Sequence, residues 1–393
     1  MTTDALIPTY ARLPVHFTEG KGAWLTDTDG NRYLDAIIGI GVCGLGHCHP
    51  AITQAITEQA SRLVHTSNLY HIDKQAELAE CLRNLSGMER VFFSNSGAEA
   101  NEAAIKLARL HGHKKGIEVP SIIVMEDSFH GRTLATLSAT GNRKVQAGFE
   151  PLIRGLTRAP YNDVDAIKII AKNNPSIAAI LVEPVQGEGG LNIPANDYLN
   201  ALKEICEEHD WLLMLDEVQT GNGRTGKYFS YQHNGILPDV VTTAKGLGNG
   251  FPIGACLVAG KASELFQLGA HGSTYGGNPL GCATALAVLT TLEKDGLIQR
   301  ASELGKRISD GLNDRLAELE SVTEIRNKGL MIGIELALPC GELVQQALNK
   351  GLLINVTAGN VVRLLPPLVL SNTEADEVIQ KLSTLISTFL LKQ

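Results

Sequence analysis

The chain lacks the features that mark secreted, membrane-bound and nucleic-acid-binding proteins. Its seven cysteines are scattered, odd in number and without a CxxC pair, which is typical of reduced thiols in a cytosolic protein. The first residues contain no apolar core of the signal-peptide kind, and no stretch approaches the roughly 20 apolar residues of a membrane span. A net charge of −8 gives no overall attraction to nucleic acid or anionic lipid. We therefore expect a cytoplasmic protein that binds neither nucleic acid nor membrane.

Internal repeats, low-complexity linkers and paired metal clusters are also missing. A hydrophobic fraction of 44% with 19% charged residues fits an ordinary globular protein. A length of 393 residues suggests about two packed domains. The segment 43–49 reads CGLGHCH, but zinc sites usually pair two such clusters and no second one follows. The sequence predicts a loop there and no metal site.

What the sequence does contain is an alternation of helical patterns with short apolar runs. Residues 23–38 have the pattern of a hairpin around Asp29-Gly30. Short apolar runs bounded by turns fall at 91–93, 121–125, 178–182, 212–215 and 240–243. Helical patterns such as 75–85 and 98–111 separate them. Runs of this kind indicate a mostly parallel sheet covered on both faces.

The pattern changes after Pro279. Helices are predicted at 280–293, 298–319 and 374–391, and strands at 331–336 and 361–364. We expect three parts in this α/β chain: a segment 1–55 that packs with the small domain, a large domain 56–279 and a small α/β domain 280–393. The large domain is expected to carry the parallel sheet.

Two turns at the predicted carboxyl ends of strands have the composition of binding sites, since open α/β sheets bind ligands there. The turn 94–99 reads SNSGAE and opens a helix, which suits a phosphate. The alternative is a simple capping box of Ser96 and Glu99. The turn 127–132 reads DSFHGR, where an aromatic side chain can stack on a flat ring and an arginine can bind a carboxylate.

Two further strands end in charged side chains. Asp216 and Glu217 follow a buried run, where a carboxylate is costly unless it pairs with a cation or a metal. A protonated pyridine ring supplies such a charge. Lys245 ends the next strand, where a desolvated amine becomes a nucleophile that forms imines. Taken alone, a lysine is usually a solvated surface residue.

One motif points elsewhere. Residues 39–44 match GxGxxG, the dinucleotide-binding pattern. No βαβ unit follows, because Gly46 and the His49-Pro50 pair interrupt the required helix. We reject a dinucleotide site on this ground.

Six segments together carry a recognisable pattern: SNSGAEANEAAIKLAR, SFHGRTLATLSATG, EPVQGEGG, LDEVQTGNGRTG, TTAKGLGNGFPIGA and HGSTYGGNPL. Their order resembles that of the class III, or ω-amino-acid, aminotransferases, which have the pyridoxal-phosphate fold type I. The resemblance runs from about residue 20 to the C-terminus. Within the family, HTSNLY at 65–70 and GLLINVTAGNVVRLLPPL near the end are most similar to members that act on acetylornithine.

The resemblance implies a homodimer with pyridoxal 5'-phosphate at each site. Lys245 would bind the cofactor covalently and carry protons, and Asp216 would pair with its ring nitrogen. The other implied cofactor contacts are Gly97 and Ala98 at the phosphate, Phe129 and Val218 on the two ring faces, Gln219 near the phenolic oxygen, and Thr274 at the neighbouring subunit's phosphate.

The resemblance also implies two substrates, N-acetylornithine and 2-oxoglutarate, that react in turn at one site. Arg363 would bind the α-carboxylate of glutamate, and Glu188 would cover that arginine when the terminal amine of the other substrate reacts. Arg132 would bind the distal carboxylate, and Ser273 would lie beside the substrate. The alternative is that Glu188 and Arg363 form a permanent surface ion pair and that Arg132 braces its turn.

Other functions remain open from the sequence. A related enzyme acting on succinylornithine, succinyl-diaminopimelate, ornithine or 4-aminobutyrate fits the same motifs. An aminomutase of the same fold would not depend on 2-oxoglutarate. A non-catalytic binding protein would retain the cofactor site without turnover.

Overall fold

The computed structural model describes residues 5–392; residues 1–4 of the expected N-terminal segment and Gln393 lie outside the described part. Fifteen strands are described: β1 (Phe17–Lys21), β2 (Trp24–Asp27), β3 (Arg32–Asp35), β4 (Arg90–Ser94), β5 (Ser121–Met125), β6 (Leu156–Ala159), β7 (Ile177–Val182), β8 (Leu212–Asp216), β9 (Val240–Thr243), β10 (Gly254–Val258), β11 (Val322–Lys328), β12 (Met331–Leu336), β13 (Leu352–Leu353), β14 (Asn355–Thr357) and β15 (Val361–Leu364).

Twelve α-helices accompany them: α1 (Ile38–Gly41), α2 (Pro50–Ala60), α3 (Asp73–Ser86), α4 (Gly97–Lys114), α5 (Leu134–Ala139), α6 (Arg143–Gln146), α7 (Val164–Asn173), α8 (Tyr198–Glu208), α9 (Pro279–Lys294), α10 (Leu297–Leu316), α11 (Leu343–Leu348) and α12 (Asn372–Leu390). Among residues 5–392, no helix is both long and apolar enough to cross a membrane.

The central sheet has seven strands in the order β4-β10-β9-β8-β7-β5-β6. Strands β5 to β9 pair in parallel, whereas β10 runs antiparallel to both β4 and β9. All five predicted apolar runs are strands of this sheet. Two further strands, β6 and β10, were not predicted. The connection from β9 to β10 is short and carries no long crossover helix, because an antiparallel neighbour does not need one.

The sheet is covered on both faces, as its apolar runs indicated. Along β5, Ile123 and Met125 belong to one hydrophobic cluster, whereas Ile122 and Val124 belong to another. Successive side chains of a strand point to opposite faces. Because both faces are packed against other elements, the polar groups at the strand ends meet at one protected edge.

The C-terminal part of the chain, from residue 322 to residue 364, forms a separate sheet. Its four strands are antiparallel in the order β11-β12-β15-β14, with α10 and α12 packed nearby. The N-terminal hairpin is the β2–β3 pair, and β1 adds a third strand that was not predicted. Strand β13, from the C-terminal part, joins the N-terminal sheet by pairing in parallel with β3. Trp24 Nε1 also donates to Glu374 Oε1 at 2.7 Å. The N-terminal strands therefore lie against the C-terminal part of the chain.

A buried ion pair fixes the turn that follows this hairpin. His47 Nε2 lies 2.8 Å from Asp35 Oδ2, and Asp35 Oδ1 accepts from the backbone N–H groups of Ile37 and Ile38. Asp35 is almost fully buried. The hydrogen bond to Asp35, followed by one to Cys43, raises the pKa of His47 to about 9. The charged pair stabilises the folded chain.

We expect this pair to make stability depend on pH. A histidine whose folded pKa lies above its unfolded value contributes stability that is complete below about pH 6.5 and is lost as the pH rises through 9. The contribution is about 3 kcal/mol at most. Thermal unfolding of wild type and Asp35→Asn, from pH 6 to 10, measures it. The asparagine keeps an acceptor for Ile37 and Ile38, so the variant is less stable near pH 6.5 and the difference shrinks toward pH 10. Equal pH slopes in the two proteins would contradict the assignment.

Candidate active site

A cavity of about 410 Å³ opens at the carboxyl ends of the parallel strands. This volume lies within the usual range for small-molecule sites. Nine of the predicted residues line it: Gly97, Ala98, Phe129, Arg132, Glu188, Asp216, Val218, Gln219 and Lys245. Segments far apart in the chain therefore meet at one place. Arg363 lies directly behind Glu188 and Gln219, with which it makes contact.

The N-terminus of α4 forms one end of the cavity. Ser96 caps the helix by accepting from the N–H of Glu99, and Glu99 in turn accepts from the N–H of Asn95. The capping alternative is therefore real, but it leaves the next N–H groups, of Gly97 and Ala98, without partners inside the helix. A Cβ on Gly97 would lie 2.7 Å from Val218 Cγ1, so only glycine fits here. Capping and anion binding are compatible at this turn.

Lys245 follows the end of β9 and lines the cavity. Its backbone has φ +45°, a left-handed conformation that costs a lysine about 1 kcal/mol. The segment around it is tied down by Asn249, which accepts from Leu45 N and donates to Gly46 O. Desolvation by the surrounding protein lowers the pKa of Lys245, which raises the share of neutral amine. A neutral amine is the form that acts as nucleophile or base.

Asp216 forms the floor of the cavity and is held by three donors. Asn101 Nδ2 lies 2.7 Å and His130 Nδ1 lies 2.8 Å from Asp216 Oδ2, while Val218 N donates to Oδ1 at 3.1 Å. Oδ1 keeps a lone pair free. A buried carboxylate with two donors on one oxygen and a free lone pair on the other is suited to a protonated ring nitrogen.

The neighbouring acid Glu217 faces away from the cavity. It accepts hydrogen bonds from Tyr231 N and from the hydroxyl of Thr220, and burial raises its pKa to about 7. The two adjacent carboxylates are therefore separated, which removes the paired-acid metal alternative. No cluster of three or more metal-ligating side chains occurs within the described range 5–392.

Phe129 and Val218 line the same cavity on segments that follow different strands. The guanidinium of Arg132 lies 5.6 Å from the ring centroid of Phe129, and Arg132 is exposed at the mouth. The N–H of Phe129 donates to Glu183, a buried acid at the end of β7. Burial, and then the nearby charge of Asp216, raise the pKa of Glu183 well above its usual range.

Arg363 is the largest fully buried side chain of the protein. Its Nη1 lies 2.8 Å from Glu188 Oε1 and 3.4 Å from Gln219 Oε1, and its Nε donates to Asn355 Oδ1 at 2.9 Å. Nη2 has no hydrogen-bond partner among residues 5–392. The side chain of Glu188 is 36% exposed. This is not a surface pair, because a buried cation is covered by an acid that retains access to solvent.

Two predicted residues lie elsewhere. Ser273 and the exposed Thr274 line a second cavity, of about 480 Å³, rather than the one around Lys245. Ser273 Oγ accepts from Asn95 Nδ2 at 3.3 Å and from Gly276 N. Within a single chain, Asn95 is the residue that both cavities share.

The sequence did not identify three residues that line the cavity, Asn101, His130 and Glu183, nor Thr242, which lies behind Asn101. His130 was visible in its turn, but an isolated histidine is more often structural. Asn101 resembles an ordinary polar residue of a helix. Its position four residues after Gly97, one helical turn into the cavity, is the only available signal.

Comparison with known proteins agrees with this geometry. Residues 7–386 match the family described as Aminotransferase class-III. An acetylornithine aminotransferase of Nitrosomonas europaea is 58% identical over 382 residues, covering 97% of each chain. A solved ornithine aminotransferase of Toxoplasma gondii, described with PLP partially occupying its active site, has a TM-score of 0.93 and 34% identity, covering 97% of this chain and 92% of that one. A solved acetylornithine aminotransferase of Elizabethkingia anophelis has a TM-score of 0.87 and 33% identity, covering 97% and 96%.

Proposed function

The chain belongs to the class III aminotransferases, and from that premise we propose that it moves the terminal amine of N-acetylornithine to 2-oxoglutarate. The products are N-acetylglutamate semialdehyde and glutamate, in a reaction of arginine biosynthesis. The cofactor is pyridoxal 5'-phosphate, and the fold is that of the fold type I enzymes. Relatives of this activity match the whole chain at high identity.

The residues of the main cavity fit the cofactor. A helix N-terminus with free N–H groups suits its phosphate, and the Phe129–Val218 pair suits the two faces of a flat ring. Asp216 would hold the ring nitrogen, and Gln219 would lie on the side of the phenolic oxygen. Lys245 would bind the cofactor covalently through its ε-amine. When bound, pyridoxal phosphate supplies an electron sink that lets a C–H bond beside an amine ionise.

The chain's own groups then divide the remaining tasks. The amine of Lys245, when it is not bound to the cofactor, would remove and return the proton at the reacting carbon. Its lowered pKa makes the neutral form available for this step. The carboxylate of Asp216 would favour a protonated ring nitrogen when the cofactor is bound.

The observation that carries the substrate proposal is the buried Arg363 behind the partly exposed Glu188. Glutamate has a carboxylate beside its reacting amine, whereas acetylornithine has none there. Arg363 binds that carboxylate when Glu188 swings toward solvent, and Glu188 covers the cation when acetylornithine reacts, because a bare buried charge is costly. Arg132, exposed at the mouth, binds the distal carboxylate of either substrate.

We also propose that the active unit is a homodimer, with Thr274 reaching the phosphate of the neighbouring subunit. The segments 63–70 and 273–280 lie together, and they expose apolar side chains that include Leu69 and Tyr70. Exposed apolar patches of this kind commonly mark interfaces. Ser273, in the second cavity, would lie beside the substrate bound across that interface.

The proposed domain division is 1–55, 56–279 and 280–393. It is supported by the range of the central sheet, whose strands all lie between 90 and 258, and of the antiparallel sheet, between 322 and 364. The strands of the first segment pair with β13 of the last.

We expect acetylornithine to be the best amine donor in a half-reaction. The near-visible absorbance of purified protein with bound cofactor is followed after adding acetylornithine, ornithine or 4-aminobutyrate, each without a keto acid. Acetylornithine converts the cofactor to its amine form fastest, and 2-oxoglutarate restores the starting spectrum.

The same experiment separates the alternatives. A response confined to ornithine or 4-aminobutyrate would assign a different member of the family. Succinylornithine and succinyl-diaminopimelate, tested alongside, measure how far the acyl group matters. Turnover without 2-oxoglutarate would indicate an aminomutase, and absence of any cofactor spectrum would overturn the proposal.

A further inference from the structure

The carboxylate of Asp216 is held by a chain of buried hydrogen bonds that begins on a neighbouring strand. The Oγ1 of Thr242, in β9, donates to Asn101 Oδ1 at 2.6 Å. Asn101 Nδ2 then donates to Asp216 Oδ2 at 2.7 Å and to the backbone oxygen of His130 at 2.8 Å. Thr242 and Asn101 are almost completely buried. All three polar groups of the Asn101 amide are therefore used.

This pattern fixes which way the amide of Asn101 points. In the reverse orientation, its oxygen would face the carboxylate of Asp216 and the carbonyl of His130, and three acceptors would meet without a proton. The two acceptors, Asp216 Oδ2 and His130 O, therefore set the orientation, and the hydroxyl of Thr242 stabilises it by donating to the amide oxygen. The NH₂ group is thereby aimed at Asp216 whatever occupies the cavity.

The arrangement divides the two oxygens of Asp216 between different tasks. Oδ2 takes donors from Asn101 and His130, whereas Oδ1 takes one backbone N–H, from Val218. Donors on Oδ2 stabilise the negative charge and prevent the carboxylate from rotating. Oδ1 keeps a free lone pair for a ring nitrogen in the cavity that Asp216 lines.

We propose that Asn101, held in place by a hydrogen bond from Thr242, is a positioning residue that sets the charge and direction of Asp216 and so tunes how strongly the cofactor ring attracts electrons. The inference rests on the proposed function. Asn101 does not need to contact the cofactor or the substrate for this role. Without it, the Asp216 carboxylate loses one of its two Oδ2 donors and holds the positive charge of the ring nitrogen less firmly.

The test uses Asn101→Leu, which keeps the approximate volume and removes the donor. We expect kcat to fall about 10- to 100-fold, the equivalent of one hydrogen bond to a charged group. KM for acetylornithine changes little, because no substrate contact is lost. Cofactor affinity, measured by titrating apoprotein, falls by a similar factor.

A second readout responds to charge rather than to shape. The near-visible absorbance of the holoprotein changes with pH as the lysine–cofactor linkage loses its proton. A ring nitrogen with less positive charge holds that proton more tightly, so the midpoint moves to higher pH in Asn101→Leu, by about one unit. A residue with only a packing role would lower stability and leave this midpoint in place.

Thr242→Val keeps the inference testable if Asn101→Leu does not fold. The valine lacks the hydroxyl that donates to the amide oxygen of Asn101. We expect the midpoint of the absorbance change to move to higher pH, but by less than in Asn101→Leu. Thr284→Val is the matched control, since Thr284 is equally buried and donates to Leu280 O inside α9. Its midpoint and kcat should equal those of wild type.

The outcomes separate this inference from the proposed function. A wild-type protein without a cofactor spectrum or half-reaction would overturn the function itself. A wild type that reacts as proposed, together with an unmoved midpoint and unchanged kcat in both Asn101→Leu and Thr242→Val, would overturn only the role of Asn101.

Discussion

Lys245→Ala loses amine transfer almost completely and remains folded. Because Lys245 is the amine proposed both to bind the cofactor and to move the proton, we expect turnover to fall at least about 10⁴-fold. Its side chain faces the cavity and its amine is already desolvated, so removing it breaks little packing. We expect stability within about 1 kcal/mol of wild type. Turnover with acetylornithine and 2-oxoglutarate, with circular dichroism for the fold, measures both effects.

The control for this variant is Lys261→Ala. Lys261 forms an exposed pair with Asp210 at 3.2 Å, far from the cavity lining. Its removal should leave turnover within about twofold, since exposed pairs contribute little. A Lys245→Ala protein that retains a tenth of wild-type activity would contradict the assignment of the lysine.

Arg363→Leu separates the two half-reactions. We expect the glutamate half-reaction to slow about 10²- to 10³-fold, because the α-carboxylate loses a buried, charge-assisted partner. The acetylornithine half-reaction should slow less than about tenfold, because acetylornithine has no carboxylate beside its reacting amine. Single-turnover measurements with each amine, followed separately at saturating cofactor, provide the comparison.

Glu188→Gln is the matched variant, and we expect it to affect the acetylornithine half-reaction more than the glutamate half-reaction. Without the carboxylate, Arg363 stays uncovered when acetylornithine reacts, so this half-reaction slows more than the glutamate one. The backbone oxygen of Glu188 still accepts from Thr357, which preserves the local fold. Equal losses in both half-reactions of either variant would mean that the pair is structural.

The sequence predicted residues that meet at one cavity, but not the hydrogen bonds that support them. Strand ends at Ser94, Met125, Asp216 and Thr243 were predictable, because short apolar runs next to unusual polar turns identify them. Strand β10 was missed because the prediction assumed that a helix separates successive strands, and the glycine-rich segment before it concealed the return of the chain.

The role of Asn101 depends on tertiary register. Asp216 pairs with Thr242 across β8 and β9, and α4 crosses both strands so that Asn101 meets them. No local pattern encodes that crossing. For Thr274 the local pattern is clear, because its motif is evident in the sequence. Within a single chain, however, Thr274 lines the second cavity and not the one around Lys245.

Helix α4 begins at the turn beside the cavity and carries Asn101 one turn later. Four residues of a helix rise about 6 Å, and a hydrogen-bonded rod of this kind hardly stretches. The distance between the proposed phosphate site, at the N-terminus of α4, and the proposed ring-nitrogen site, beside Asn101, is thus fixed by one rigid helix. If the proposed contacts hold, a cofactor of different length would lose its contacts at one end or the other, and a tilt of α4 would displace both ends together. Helix α4 alone would in this way select a cofactor by its length.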